Sequence, residues 1–399
     1  MYGIAILGFG VVGSGVAEVL DKNADRITLG AARELRLKYI VDIKDVPDPY
    51  KNLLTRDFGA VLDDPDVRVV AETIGGAGIA YEYTRRALEA GKSVVTSNKE
   101  LVALHGCELL RLARERGVNY LFEASVGGGI PILRPITQCL AANKIYEIYG
   151  ILNGTTNYIL TAMIKQGASF EDALRLAQAS GYAEADPSSD IDGIDACRKI
   201  CILADLSFGR HIDPDWLKTV GIRAVTAADT AYADRGGYKI KLLGRAVANG
   251  DGRVSAYVAP HLVPAENLLA GVEGVMNAIV VRGNAIGDVM FYGAGAGKLP
   301  TASAVVADII DAAKHEHSRK LISWDTGEPS MLRDSAELVS RWYARVAADE
   351  AKILTAFPDA EVLGAVSGET AFVTGETSKA GIDAALANFG VLSLFRVIG

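Results

Sequence analysis

Residues 3–20 read Gly3-Ile-Ala-Ile-Leu7-Gly8-Phe-Gly10-Val-Val-Gly13-Ser14-Gly-Val-Ala-Glu-Val-Leu20, and they predict the fold of the first third of the chain. A short apolar strand leads directly into three spaced glycines, and a helix follows. In such a turn the first glycine permits a tight bend, the second lets a phosphate approach the backbone, and the third lets the helix pack on the strand. The helix N-terminus adds N–H groups and a positive dipole. The stretch therefore predicts a dinucleotide site.

Strands and helices continue to alternate after this stretch. Apolar runs at 35–41, 67–72 and 93–96 predict strands, and residues 81–90 predict a helix between the last two. This alternation predicts an α/β fold with a doubly wound parallel sheet of the Rossmann type. In such a sheet the ligand lies at the carboxyl ends of the strands.

Polar residues follow the ends of these strands. Asp42 closes the second strand, where an acid is expected to bind the cofactor ribose. An arginine beside it would indicate the 2′-phosphate of NADP. Val41 precedes Asp42 and Lys44 is the only cation close in sequence, so the pattern favours NAD and leaves NADP open. Thr73 and Lys99 follow the next two strands, and Lys99 is either a solvated charge or part of the cofactor crevice.

A second informative stretch is Gly181-Tyr-Ala-Glu184-Ala-Asp186-Pro-Ser-Ser-Asp190-Ile-Asp192-Gly-Ile-Asp195-Ala-Cys-Arg-Lys199. It begins as an acidic, turn-rich loop and predicts a helix that continues to Ser207 and stops before Gly209. The candidates for the N-cap of this helix are Ser188, Ser189 and Asp190. Because the helix is apolar on nearly all sides, we expect most of its surface to be buried.

Asp195 and Lys199 lie one turn apart on the same stripe of this predicted helix. A carboxylate and an ammonium on a buried stripe cost free energy unless they are paired or have a function. One interpretation is a structural ion pair. The neighbouring acidic loop favours the other interpretation, in which both groups act on a ligand.

The composition excludes several classes of function. A net charge of −8 over 399 residues, without a dense run of Lys or Arg, argues against a nucleic-acid surface. No apolar segment approaches the roughly 20 residues that span a bilayer. The chain opens on a strand with no basic and apolar leader, and its four cysteines form no metal or redox pattern. We therefore expect a cytoplasmic protein.

Six motifs, taken together and in this order, resemble homoserine dehydrogenase. They are the glycine turn, Thr96-Ser-Asn-Lys99, Glu123-Ala-Ser-Val126-Gly-Gly128-Gly-Ile130-Pro, Leu152-Asn-Gly-Thr-Thr-Asn157-Tyr-Ile-Leu160, the 181–199 stretch and Gly293-Ala-Gly-Ala-Gly297-Lys-Leu-Pro-Thr-Ala-Ser303. The resemblance implies an NAD(P)-dependent oxidoreductase that interconverts L-aspartate 4-semialdehyde and L-homoserine in threonine and methionine biosynthesis.

The resemblance also implies roles for individual residues. The implied catalytic residues are Lys199, Lys99 and Asp195, and the implied substrate-binding residues are Gly181, Glu184, Asp190 and Asp195. Together with the glycine turn and the strand ends, it implies cofactor binding by Gly8, Phe9, Gly10, Val12, Gly13, Asp42, Thr73, Lys99 and Gly297. It further implies a monovalent cation, usually sodium, held mostly by backbone carbonyls of Glu123, Val126, Gly128 and Ile130.

The chemistry of these residues agrees with that assignment. Oxidising an alcohol requires a group that accepts the hydroxyl proton while hydride leaves the carbon. The five histidines lie outside the motifs. Burial would lower the pKa of Lys199 toward neutrality, with Asp195 orienting the amine and opposing that shift. Glu184 and a neighbouring carboxylate can meet the substrate ammonium.

The resemblance also predicts the domain organisation. The predicted parts are a dinucleotide-binding domain at 1–135 and 295–318, a second α/β domain at 136–294, a linker at 319–339 and an ACT-like α+β tail at 340–399. The second domain is expected to carry substrate binding and a mostly antiparallel sheet that forms a homodimer or higher oligomer. The tail is short, and Asp349-Glu-Ala-Lys352 replaces the usual turn and full first helix, so threonine sensing, dimerisation and a vestigial role stay open.

Two other functions compete with this interpretation. Aspartate-semialdehyde dehydrogenase also has a nucleotide-binding fold, but it needs a reactive cysteine in a loop. Cys139 has no basic neighbour in sequence, and the other cysteines fall within predicted helices. The remaining alternative is a nucleotide-sensing regulator without catalysis, and the joint presence of two lysines and two acids in the motifs argues against it.

Overall fold

The computed structural model describes residues 2–399. The chain divides into two units. Unit 1 comprises the residues up to Asn143 together with Cys201–Pro214 and Gly293–Gly327, and unit 2 comprises Lys144–Ile200, Asp215–Tyr292 and Glu328–Gly399. Within residues 2–399, none of the helices combines the length and the apolar character needed to cross a membrane.

The secondary-structure elements are numbered in chain order. The helices are α1 (Val11–Lys22), α2 (Ala24–Ala31), α3 (Phe58–Asp63), α4 (Gly78–Glu89), α5 (Lys99–Arg116), α6 (Gly154–Gln166), α7 (Phe170–Ala179), α8 (Ser188–Ile191), α9 (Ile194–Phe208), α10 (Ala227–Arg235), α11 (Lys298–Lys314), α12 (Glu350–Ala356) and α13 (Lys379–Leu386). The strands are β1 (Tyr2–Leu7), β2 (Leu35–Val41), β3 (Leu54–Thr55), β4 (Val67–Glu72), β5 (Ser93–Thr96), β6 (Tyr120–Leu121), β7 (Ile145–Ile151), β8 (Lys218–Thr219), β9 (Tyr238–Ala248), β10 (Val254–Pro264), β11 (Met276–Gly283), β12 (Gly287–Ala294), β13 (Trp342–Val346), β14 (Glu361–Val366), β15 (Glu369–Val373) and β16 (Val391–Val397).

Unit 1 is built on a parallel sheet with the strand order β3-β2-β1-β4-β5-β6. The order reverses direction at β1, so the carboxyl ends of β1 and β4 flank the position at which such sheets bind ligands. Apolar side chains of these strands form one core with helices α1 and α11, including Ile4, Ile6, Val16 and Val305. The predicted doubly wound parallel sheet is confirmed.

Unit 2 is built on a ten-stranded sheet in the order β12-β11-β7-β9-β10-β16-β13-β15-β14, with β8 beside β10. The pairings of β7, β9, β13 and β15 are antiparallel, whereas β10 pairs in parallel with β8 and β16. The core on this sheet includes Tyr149, Leu243, Val263 and Val280. The expectation of a second, mostly antiparallel sheet is confirmed.

The prediction of one continuous helix from residues 188–190 to Ser207 is wrong, because the segment forms two helices. The structure divides it into α8 and α9 at Gly193, which has a φ of +84°. Ile222 N–H donates to the Ile191 carbonyl at 2.8 Å, so an oxygen that would continue the helix is bonded to another segment. Asp195 therefore lies in the first turn of α9, where a negative charge is favourable. The predicted stop at Gly209 is confirmed by its φ of +77°.

The C-terminal segment is counted in unit 2 and continues its sheet. β16 pairs with β10 in the register His261↔Arg396 and Leu262↔Val397. A smaller core beneath α12 and α13 includes Trp342, Phe372 and Ile382. The helix α12 and the strand β14 had no predicted counterpart. An ACT-like module and the predicted domain boundaries stay predictions.

We expect Ile398→Ala to lower the free energy of unfolding by about 2–4 kcal/mol, because truncation leaves a cavity in the core. Ile398 is 1% exposed and belongs to the main core of unit 2. Val391→Ala, at a position of β16 that is 44% exposed, is the control and should cost less than about 0.5 kcal/mol. Urea unfolding followed by circular dichroism measures both variants. Equal stability of the two would contradict the packing of the C-terminus in this core.

Candidate active site

The glycine turn joins β1 to α1. The Thr73 hydroxyl donates to the carbonyls of Leu7 at 2.9 Å and Gly8 at 2.7 Å, which holds the turn against the end of β4. A Cβ at Gly13 would lie 2.0 Å from the Gly8 oxygen, whereas a Cβ at Gly10 would meet nothing within 4 Å. Gly13 is therefore required for packing, and Gly10 leaves an open backbone surface on which a phosphate can lie.

A cavity of about 550 Å³ opens beside this turn. Its lining includes Gly8, Phe9, Gly10, Asp42 and Thr73. The Asp42 carboxylate accepts hydrogen bonds from the N–H groups of Phe9 at 2.6 Å and Lys44 at 2.8 Å. The acid predicted to bind the ribose therefore lies at the turn predicted to bind the pyrophosphate.

The other predicted cofactor residues of unit 1 lie at helix starts. Val12 and Gly13 are in the first turn of α1, and Lys99 is the first residue of α5. Gly297, with a φ of +120°, directly precedes α11, and α11 packs against α1. Helix starts concentrate N–H groups and positive dipole ends, which suits an anionic cofactor.

A buried carboxyl group that was not predicted from the sequence forms hydrogen bonds at the carboxyl ends of β4 and β5. Glu72, the last residue of β4, is 0% exposed and accepts hydrogen bonds from the Ile74 N–H at 2.6 Å and the Thr96 hydroxyl at 2.5 Å. Burial raises the pKa of the Glu72 carboxyl to about 7. Asn98 donates to the carbonyls of Ile74 and Gly76, so these contacts tie the ends of β4 and β5 together.

The centre of the candidate site in unit 2 is an ion pair. Lys199 Nζ donates to Asp195 Oδ2 at 2.7 Å and to the Leu152 carbonyl at 2.8 Å. Asp195 is 3% exposed and Lys199 is 7% exposed. The helix α9 positions both side chains because they are one turn apart, and β7 brings the Leu152 carbonyl to them.

Asn153 links this pair to a second carboxylate. Its Nδ2 donates to Asp190 Oδ1 at 2.7 Å and to Asp195 Oδ2 at 2.9 Å. Burial raises the pKa of Asp190. Three of the predicted residues, Asp190, Asp195 and Lys199, are therefore brought together around one buried amide.

Gly181 and Glu184 lie in the exposed loop between α7 and α8. Gly181 has a φ of +73° and follows the end of α7. The Glu184 carbonyl accepts a hydrogen bond from the Gln178 side chain at 3.1 Å. The Thr155 hydroxyl donates to the Tyr182 carbonyl at 2.6 Å, which joins this loop to the start of α6, the helix that Asn153 caps.

The predicted cation residues form a glycine-rich loop in unit 1. The Glu123 carboxylate accepts hydrogen bonds from the N–H groups of Ile132, Leu133 and Arg134 at 2.6–2.9 Å. The Glu123 carboxylate therefore binds the backbone N–H groups of residues 132–134. Within residues 2–399, no group of three or more acidic, histidine or cysteine side chains has the arrangement of a metal site.

Comparison with known proteins identifies the family. The family model described as homoserine dehydrogenase matches residues 131–310, and the model described as the homoserine dehydrogenase NAD binding domain matches residues 8–123. A homoserine dehydrogenase of Pseudomonas aeruginosa is 46% identical over 313 residues, which are 78% of this chain and 72% of that protein. The chain belongs to the homoserine dehydrogenase family.

Solved structures of homoserine dehydrogenases have the same fold. The enzyme from Thiobacillus denitrificans aligns with a TM-score of 0.88 at 36% identity, over 100% of this chain and 98% of that one. A hyperthermophilic archaeal homoserine dehydrogenase in complex with NADPH aligns with a TM-score of 0.66 at 30% identity, over 78% of this chain and 97% of that one. The predicted NAD(P)-dependent homoserine dehydrogenase is thereby confirmed, and the alternative of a nucleotide-sensing regulator has no support.

We expect Gly10→Ala and Gly13→Ala to have different effects. At Gly13 the new methyl group would collide with the Gly8 carbonyl at 2.0 Å, so this variant should unfold at a lower temperature. At Gly10 the methyl group meets no protein atom within 4 Å, so the melting temperature should stay unchanged while dinucleotide affinity falls about tenfold or more.

Thermal melting and titration with NADH and NADPH measure these effects. Gly91→Ala is unsuitable as a control, because Gly91 has a φ of +74° and any side chain would be strained there. Gly75→Ala, which also meets nothing within 4 Å but lines the same cavity, tests how far the phosphate surface extends. Unchanged dinucleotide affinity of Gly10→Ala would contradict the placement of the pyrophosphate on this turn.

Proposed function

We propose that this homoserine dehydrogenase oxidises L-homoserine to L-aspartate 4-semialdehyde, and catalyses the reverse reduction, with Lys199 as the proton acceptor and donor. The observation that carries this proposal is the buried contact of 2.7 Å between Lys199 and Asp195, beside the acidic segment 181–190. A buried lysine pairs with a carboxylate and a carbonyl at a cost in desolvation, which a proton-transfer role explains.

The surroundings of Lys199 support a proton transfer in both directions. Burial disfavours the charged amine, whereas the Asp195 carboxylate at 2.7 Å favours it, so the two effects oppose each other. In the oxidation the neutral amine accepts the hydroxyl proton of the substrate while hydride leaves the carbon. In the reduction the ammonium returns the proton to the aldehyde oxygen. The nicotinamide ring, when bound, supplies the hydride acceptor or donor.

The acidic segment supports the binding of an amino acid. The ammonium of homoserine needs acidic partners, and the exposed Glu184 and the partly buried Asp190 lie in the segment that leads into α9. Gly181 lets the backbone turn at the end of α7, so its peptide groups are accessible to the substrate. Asp195 orients Lys199 and is the last of the residues proposed to bind the substrate.

The turn at Asp42 supports a preference for NAD. A carboxylate accepts hydrogen bonds from the ribose hydroxyls and repels a 2′-phosphate. Lys99 at the start of α5 adds a positive charge for the nicotinamide and the substrate. Gly297 at the start of α11 offers a helix end to the dinucleotide phosphates.

The loop 123–130 supports a monovalent cation, for which sodium is the candidate. Glu123, Val126, Gly128 and Ile130 are buried, and none of the backbone hydrogen bonds that join turns, loops and caps of the described residues ends on the carbonyl oxygens of Val126, Gly128 or Ile130. Buried carbonyls normally have partners, and hard cations prefer oxygen ligands. The cation would supply a fixed positive charge that orders this loop.

We infer further that the enzyme is a cytoplasmic homodimer or higher oligomer in which the tail contributes to assembly. The sheet of unit 2 ends at the edge strands β12 and β14. Tyr292 on β12 is 54% exposed and Val366 on β14 is 56% exposed. Apolar side chains on open sheet edges favour pairing with another copy of the chain.

We expect Lys199→Ala to lose about 10²–10⁴-fold in turnover, because the amine proposed to take the hydroxyl proton is removed. Initial rates with L-homoserine are measured with NAD and with NADP, with and without threonine, and dinucleotide affinity is measured separately. The affinity and the melting temperature should stay close to those of the wild type. Lys165→Ala, which removes a lysine whose side chain is 57% exposed, is the control and should keep full activity. A turnover of Lys199→Ala close to that of the wild type would end the assignment.

A further inference from the structure

Asn153 has a fixed orientation in the hydrogen-bond network around Lys199. Its Oδ1 caps α6 by accepting a hydrogen bond from the Thr156 N–H at 2.9 Å. This bond assigns the two ends of the amide, because the oxygen must face the helix and the NH₂ group must face the carboxylates. Asn153 is 5% exposed, so solvent access to these bonds is small.

The amide shares one oxygen with the proposed proton carrier. Asp195 Oδ2 accepts from Lys199 Nζ at 2.7 Å and from Asn153 Nδ2 at 2.9 Å. After Lys199 has lost its proton, the Asn153 amide still donates a hydrogen bond to the negatively charged Asp195 Oδ2. A hydrogen bond to a carboxylate stabilises its charge and weakens its pull on a nearby ammonium.

We propose that Asn153 is a positioning residue of the reaction. Its amide holds the carboxylates of Asp190 and Asp195 in place and shares Asp195 Oδ2 with Lys199, which weakens the hold of Asp195 on the Lys199 proton. This inference rests on the proposed role of Lys199.

The charged groups that contact the amide or share its carboxylate partner lie on α8 and α9. α8 contributes Asp190, α9 contributes Asp195 and Lys199, and α6 contributes the uncharged Thr155 and Thr156. Burial raises the pKa of Asp190, the amide of Asn153 opposes the rise, and the charge of Asp195 adds to it. An amide stays neutral throughout the working pH range and can donate to two carboxylates at once without adding a charge. Few other side chains can both donate to two carboxylates without a charge and cap a helix.

The variant Asn153→Ser separates the two roles of the residue. Serine also caps helices, but its single hydroxyl donor cannot bridge two carboxylates. The measurement is kcat/KM for L-homoserine oxidation across the pH range in which the variant stays folded. We expect the midpoint of the low-pH limb to move upward by about 0.5–1 pH unit, with a corresponding fall of about 3- to 10-fold in rate below that midpoint.

Ser169→Ala is the matched control for the loss of a helix cap. The Ser169 hydroxyl accepts from the Asp172 N–H at the start of α7, in the same unit and away from the two carboxylates. This variant should lower the melting temperature and leave the pH midpoint unchanged. A purely structural role of Asn153 predicts that Asn153→Ser behaves in the same way, and that result would overturn the proposal.

Asn153→Asp is measured if the serine variant does not fold, since aspartate keeps both the size and the cap. It replaces the donor by a third negative charge, so the midpoint should again move upward, and an unchanged midpoint would overturn the proposal. The two proposals fail separately. A wild-type midpoint in the Asn153 variants, with Lys199→Ala inactive, would remove the role of Asn153 and leave that of Lys199.

Discussion

Lys199 and Asp195 hold opposite charges 2.7 Å apart at a place where both side chains are less than one-tenth exposed. Two charges in such surroundings are stable only if each has further polar partners. The Leu152 carbonyl and the Asn153 amide supply them at 2.8 and 2.9 Å. The end of β7, the start of α6 and the first turns of α9 must therefore keep their relative positions for the pair to survive.

The fold of unit 2 meets this requirement with small residues and helix ends. Gly193 separates α8 from α9, so Asp190 and Asp195 lie on different helices and both can face Asn153. Gly244 on β9 lets the sheet approach closely, because a Cβ there would lie 2.8 Å from the Leu152 side chain and 3.1 Å from Cβ of Ile200. Ile200 is the residue after Lys199, so the glycine lets the sheet pack closely against the part of α9 that carries the lysine.

Much of this arrangement could be predicted from the sequence. Apolar runs gave the bounds of β2, β4 and β5, and the spacing of the glycines gave the β1 turn, because these signals are local. The resemblance to a family gave the pair Asp195–Lys199 its proposed role in proton transfer. The break at Gly193 was not predicted, and the hydrogen bond from Ile222 to Ile191 that accompanies it comes from a segment distant along the chain.

The supporting polar residues were missed for the same reason. Glu72 lies in a predicted strand and Asn153 in one of the six motifs. Their partners lie further along the chain: Thr96 is 24 residues after Glu72, and Asp195 is 42 residues after Asn153. A signal was present in the sequence, because an acid that ends an apolar strand and an asparagine before a glycine and two threonines both need polar partners. Their identity depends on the tertiary fold.

The central claim is that the amine of Lys199 exchanges the substrate proton, rather than only holding Asp195 in place. The measurement that tests it most directly is the oxidation of L-homoserine by Lys199→Arg, because arginine keeps the positive charge and the pairing with Asp195 but cannot give up its proton. We predict that this variant folds and keeps the dinucleotide affinity of the wild type. At every pH, its rate of L-homoserine oxidation should be no higher than that of Lys199→Ala. Oxidation within about tenfold of the wild-type rate, with an unchanged pH profile, would contradict this account.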